Sequence, residues 1–253
     1  MNKWNGGTVV LLLCAACGFA QDARQIMLEV QNRARSNSQH YEGTLKVVDS
    51  KSKITEKRWT YDRIGSAGQS KVILRFTAPA EVKGVAVLVV NHQERASDQW
   101  MWTPSLQRDR RIALQDRSTR FFGTDFSFED LEERDVQQFE YTVLGEEKCG
   151  STVCYKLESR PTKTKASQYT HSFVWVEKER LVILRVDGYQ RDKLLRRIQY
   201  SDHQKVQNIW TPLSIEVDDV GRKSKTVLRT DKLQYNLPVK EEMFTLQALR
   251  RES

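Results

Sequence analysis

The residues that could do chemistry in this 253-residue chain are dispersed. Its four histidines, His40, His92, His171 and His203, fall in no H-x-H or H-E-x-x-H pair that would hold a metal. No G-x-S-x-G elbow presents a serine nucleophile, and neither a P-loop nor a G-x-G-x-x-G cradle offers itself to phosphate. Acidic pairs stand at Glu132–Glu133 and Asp218–Asp219, but both sit among hydrophilic neighbours and read as solvated. These absences point away from an enzyme and call for no cofactor or metal.

Cys149 and Cys154, in "EEKCGSTVCYKLE", form a closer constellation. A redox or metal pair would want a tighter C-x-x-C or further ligands nearby. Two cysteines across Gly-Ser-Thr-Val, between alternating segments, instead fit a disulfide closing a hairpin in an oxidising compartment. So small a ring contributes roughly 2 kcal/mol through loop closure.

The densest stretch is "WMWTPSLQRDRRIALQDRSTRFFGTDFSFEDL", residues 100–131. Basic residues interleaved with aromatics are the composition of a single-strand nucleic-acid platform. Asp109, Asp116 and Asp125 break the positive field, however, so nucleic acid is not expected. Two readings stay open for the arginines: a network with these aspartates that pins a loop to the sheet, or a site for an anionic lipid headgroup or partner.

Export bears on the same question. "MNKWNGGTVVLLLCAACGFA" carries Lys3, an apolar run from Val9, and small residues at Gly18 and Ala20, the layout of a signal peptide cleaved after Ala20. The run falls short of the roughly 20 residues that span a bilayer. Lipidation at Cys17 is the alternative, although Cys14 stands where an aliphatic residue is usual. The leader contributes only Lys3 to the charge, so the formal net charge of +8 falls to +7 over residues 21–253. A basic exported chain meets anionic lipid headgroups more readily than nucleic acid, which allows transient contact with a membrane surface.

The elements that must position these residues are mostly strands. "DARQIMLEVQNRARSN" places Ala23, Ile26, Met27, Val30 and Ala34 at helical spacing, with Asp22 as N-cap. From His40 the period becomes two, through segments such as "KVILRFTAP", "SDQWMWTP", "YTHSFVWVEK" and "NIWTPLSIEVDD". "GVAVLVVNH" is apolar on both faces and should be buried on both. This pattern predicts one mainly β domain over 21–253, an antiparallel meander of about 11 to 12 strands. One face is basic and polar (Lys71, Arg75, Lys156, Arg185, Arg197) and the other apolar. Little is available to cover the apolar face: the N-terminal helix, the segment near 118–135 and the C-terminal "PVKEEMFTLQAL". Either the sheet closes on itself or it forms an incomplete barrel lidded by those segments, and an incomplete barrel with a thin lid leaves an apolar cavity. By alternation its lining is Leu45, Val47, Trp59, Tyr61, Val72, Leu74, Phe76, Trp100, Trp102, Phe173 and Trp175, subject to the rule that a one-residue slip turns a strand's set outward.

Three motifs in order, "FTAPAEVKGVAVLVVN", "WMWTPSLQRDRRI" and "FFGTDFSFEDL", resemble the family described as outer membrane lipoprotein-sorting proteins. The resemblance rests on Phe76, Pro79, Lys83 and Gly84, then on Trp100, Trp102, Pro104, Arg108, Arg110, Arg111 and Ile112. It continues through Phe121, Phe122, Gly123, Thr124, Asp125, Phe126, Phe128, Asp130 and Leu131. It implies a LolA/LolB-like incomplete antiparallel β-barrel, with short lid helices plugging the open side, that carries acyl chains across the periplasm. It also implies an inner-membrane partner, a transporter of the resistance-nodulation-division type. Arg108, Arg110, Arg111 and the residues from Phe121 to Asp130 would then form a lid, a partner surface or a structural corner. Mature lipoprotein, another lipid and a hydrophobic pigment all remain open as cargo. A lipid sensor or adaptor that regulates a membrane partner is the rival of a carrier.

Overall fold

The computed structural model describes residues 15–251. Most of the leader segment lies outside them. Helix α1 (Ala15–Arg33) runs through Asp22 rather than starting there, and buries Ala23 and Met27. Six strands follow: β1 (Ser38–Val48), β2 (Ile54–Ser66), β3 (Gln69–Ala78), β4 (Ala86–Val90), β5 (Asp98–Thr103) and β6 (Arg108–Arg111). Seven more come after a long connection: β7 (Phe139–Cys149), β8 (Thr152–Pro161), β9 (His171–Glu177), β10 (Ile183–Gln190), β11 (Lys193–Val206), β12 (Ile209–Asp219) and β13 (Ser224–Tyr235). The short helix α2 (Leu246–Leu249) ends the described chain. No helix among the described residues is long and apolar enough to cross a membrane.

All strands belong to one antiparallel sheet in the order β6-β5-β4-β3-β2-β1-β13-β12-β11-β10-β9-β8-β7. Two meanders are therefore joined back to back, where β1 pairs with β13 from Gln39↔Tyr235 to Val48↔Lys225. The sheet is open, with β6 and β7 as its edges. It curls strongly, because Val87 on β4 and Ile198 on β11 line the same cavity although five strands lie between theirs. Cys149 and Cys154 are joined across the β7–β8 hairpin, as their spacing predicts.

The sheet order imposes one further feature. Since β6 and β7 are opposite edges, residues 112–138 must travel from one to the other, and they do so across the inner face. Phe121, Phe126 and Phe128 sink there into a core with Leu45, Phe76, Val217 and Leu228. A tight turn makes this possible: Phe122 and Gly123 both take positive φ, at 45° and 73°, and Phe121 N–H donates to the Phe126 carbonyl at 2.8 Å.

Strand β4 is buried on both faces, with Val87 and Val89 inward, beside Val85 just before it, and Ala86 and Leu88 outward. The outward pair needs a cover, and the C-terminal segment supplies it. Phe244 and Leu249 pack there on Ile73, Ala86, Leu88 and Trp102. Arg75 ties that cover down, donating to the carbonyls of Ala248 at 3.1 Å and Leu249 at 3.0 Å. The C-terminal turn thus closes the outer face, not the inner one for which the sequence offered it.

Candidate functional site

A cavity in two adjoining lobes occupies the inner face. The first, ≈ 310 Å³, lies between the end of α1, strands β9 to β12 and residues 129–134, with Val186, Ile198, Tyr200 and Trp210 among its walls. The second, ≈ 380 Å³, is walled by Tyr41, Trp59, Tyr61, Val72, Leu74 and Val87 from one meander and by Ile198, Ile215 and Leu228 from the other. Phe126 and Leu131 of the crossing segment close it. Ile198, Tyr200, Trp210 and Pro212 border both lobes. Walls this apolar, with a few polar groups converging on them, are the ordinary make-up of a small-molecule site.

The aromatic lining is ordered. Tyr41 and Tyr61 stack at 4.7 Å, and Trp59 meets the edge of Tyr41 at 6.4 Å. Burial raises the phenol pKa of Tyr41 well above its ordinary value and pushes that of Tyr200 up to about 12, so both hydroxyls stay protonated and can donate.

A belt of carboxylates on the crossing segment borders both lobes. Glu132 is buried and accepts from Arg117 at 2.8 Å, Lys165 at 2.5 Å and Gln99 at 2.9 Å. Glu133 accepts from Ser70 Oγ at 2.6 Å and from the amides of Ala67 and Gly68. Asp130 accepts from Ser127 and from the Tyr169 hydroxyl at 2.8 Å. Deeper in, Asp125 is fully buried and accepts from Ser224 Oγ at 2.5 Å, Thr226 Oγ1 at 2.7 Å and Arg120 at 2.7 Å, while Arg196 Nε donates to its carbonyl at 2.9 Å. These bonds fasten the crossing segment to β3, β11 and β13. Glu132–Glu133 is therefore not the solvated pair expected, because partners remote in sequence surround it.

The predicted lining residues divide three ways. Trp59, Tyr61, Val72 and Leu74 line the second lobe. Leu45, Val47 and Phe76 share their face but lie closed in the core, Phe76 stacked on Phe121. Trp100, Trp102, Phe173 and Trp175 are on the opposite face and are corrected here. On β5 the inward positions belong to Gln99, which donates to the Phe128 carbonyl, and Met101. Trp100 and Trp102 pack outward toward the C-terminal cover. On β9, Val174 and Val176 point inward, whereas Phe173 and Trp175 meet outer-face cations: Arg185 lies 4.2 Å from the Trp175 ring and Lys156 5.7 Å from that of Phe173.

The arginines after β5 are surface residues. Arg108, Arg110 and Arg111 are exposed on the edge strand, where Arg110 pairs with Asp116 at 3.1 Å and Arg111 with Asp98 at 2.5 Å. Arg117 and Arg120 serve the crossing segment instead. Alternation missed Ile198, Tyr200, Trp210 and Ile215 altogether, although Ile198 and Tyr200 stand two apart on one strand and carry the right signal. No group of His, Cys, Asp or Glu among the described residues is arranged to hold a metal ion.

A single open antiparallel sheet curled over an apolar cavity, crossed by an internal segment, is a fold that this chain shares with solved lipoprotein-sorting and LolA superfamily domains. A domain named as an outer membrane lipoprotein-sorting protein from Vibrio parahaemolyticus superposes with a TM-score of 0.87 at 24% identity, covering 92% of this chain and 100% of that one. A DUF1329 family protein from Desulfovibrio piger gives 0.87 at 26% identity, over 91% of this chain and 99% of that one. A LolA superfamily protein from Nitrosomonas europaea gives 0.72 at 19% identity, over 89% and 99%. The family model that matches residues 68–251 carries the description "uncharacterized protein", and the chain belongs to that family. No curated protein matches its sequence significantly.

Proposed function

We propose that the protein is a periplasmic carrier, exported with removal of residues 1–20, that shelters a lipid, a lipoprotein acyl chain or another hydrophobic molecule on its way to the outer membrane. The observation that carries this reading is the two-lobed cavity, whose apolar walls come from both meanders and whose lining carboxylates all belong to the crossing segment. The need is energetic: at about 0.8 kcal/mol per methylene, leaving a sixteen-carbon chain in water costs on the order of 10 kcal/mol. A transporter of the resistance-nodulation-division type is the proposed donor or acceptor partner, as the family resemblance implies.

The test is native mass spectrometry, with lipid extraction, of protein isolated from its own periplasm. Co-purifying acyl species are expected and would identify the cargo. Protein that stays empty and takes up no fluorescent fatty acid would sink the carrier reading.

A further inference from the structure

One cation in the first lobe is unlike its neighbours. Arg33 pairs with Glu29, Arg180 with Glu177 and Lys165 with Glu132. Arg134 also lines that lobe, yet no carboxylate lies within ion-pair distance of it among the described residues. Its guanidinium sits 4.2 Å over the Phe139 ring, one nitrogen donates to Ser159 Oγ at 2.6 Å, and its buried Nε has no partner. The acidic groups that share the lobe, Glu129, Asp130, Glu132 and Glu133, are already engaged by other donors. Tyr200 lines the same lobe, and its hydroxyl makes no hydrogen bond to any described residue.

A guanidinium held against an apolar wall without a counter-ion is costly unless something occupies its open donors. Its planar fork matches a carboxylate or a phosphate. We infer that Arg134, with Tyr200 as a second donor, is a headgroup subsite for the anionic end of a single-headed amphiphile whose chain fills the adjoining lobes. This rests on the cavity reading above and narrows it. The N-acylated terminus of a lipoprotein offers no such anion, whereas a fatty acid or a lysophospholipid phosphate does.

The experiment is displacement of the neutral dye N-phenyl-1-naphthylamine from delipidated protein by palmitate, palmitoyl lysophosphatidic acid and the uncharged methyl palmitate. The wild-type protein is expected to bind an anion at least about tenfold more tightly than the ester, the range of one charge-assisted hydrogen bond. Preference for palmitate marks a carboxylate ligand, and preference for the lysophosphatidate a phosphate ligand. Arg134→Gln should bring anion and ester level, each displacement being referred to the dye affinity of the same variant. Tyr200→Phe, which removes only the hydroxyl, should reduce the preference by a smaller factor. Dye uptake without anion preference in the wild type, or a preference that survives Arg134→Gln, overturns the subsite alone. Failure of the wild type to take up dye and every acyl probe overturns the cavity and the subsite with it.

Discussion

The rings of Phe76 on β3 and Phe121 on the crossing segment stack with centroids 5.2 Å apart and planes at 18°. Both side chains are fully buried, so this contact holds the connection between the sheet's two edges against the inner wall. Phe121→Ala should cost about 3–5 kcal/mol, the usual range for emptying a buried aromatic site. Urea denaturation followed by circular dichroism checks it, and a change below 1 kcal/mol would mean the segment is held by its polar bonds alone.

Those polar bonds make a separate prediction. Asp125→Ala removes the acceptor shared by Arg120, Ser224 and Thr226 and strands a partly buried guanidinium. A loss of about 3–5 kcal/mol is expected, as for other broken buried pairs. Asp125→Asn keeps one acceptor oxygen and should lose less. Equal losses in the two variants would show that the charge matters and the acceptor does not.

Sheet face separates stability from uptake. Trp102→Ala hollows out the outer-face cluster and should destabilise by about 3–5 kcal/mol, while the remaining folded protein still binds a neutral hydrophobic dye. Val72→Trp pushes bulk into the second lobe, so dye uptake should collapse for only about 1–3 kcal/mol of overpacking strain. Thermal melts run beside dye titrations separate the two outcomes. The reverse pattern would place the cavity on the wrong face.

Glu129 gives the stability curve a definite slope. Burial holds its carboxyl pKa above the ordinary value, opposed by bonds from Ser167 and the Gln168 amide. A folded pKa above the unfolded one means that folding favours the protonated form. Its contribution is thus fully present below the ordinary glutamate range and is lost as pH rises through the folded pKa. Glu129→Gln should gain stability relative to wild type as pH rises across that interval, measured by melts from pH 4 to 8. A difference independent of pH would mean that Glu129 titrates normally in the folded protein.

The fold was legible in the sequence because strand alternation and turn spacing are local. What failed was parity wherever alternation is silent. Phe173, Val174, Trp175 and Val176 are all apolar, so nothing local says which pair faces inward, and the answer lies in Lys156 and Arg185 on neighbouring strands. On β5 a buried Gln99 takes the inward place that the tryptophans seemed to claim by size. Glu132 misled in the same way, since Arg117 and Lys165 reach it only after the chain has crossed the sheet. Of the aspartates that argued against nucleic acid, Asp109 and Asp116 make surface ion pairs, and Asp125 alone pins the segment, through contacts to β11 and β13 beyond any local motif.

The seam between β1 and β13 sets the order in which this molecule can assemble. A chain emerging from its N-terminus holds β1 with an unfilled edge until the last strand arrives, because Gln39 pairs with Tyr235. Every other pairing in the sheet joins consecutive strands, so this one contact carries the largest loop-closure cost and is expected late. During that delay neither meander can form a complete groove, since each supplies only part of the second lobe's wall. The second lobe is therefore completed only at the final strand, whereas the first lobe draws no wall from β1 or β13.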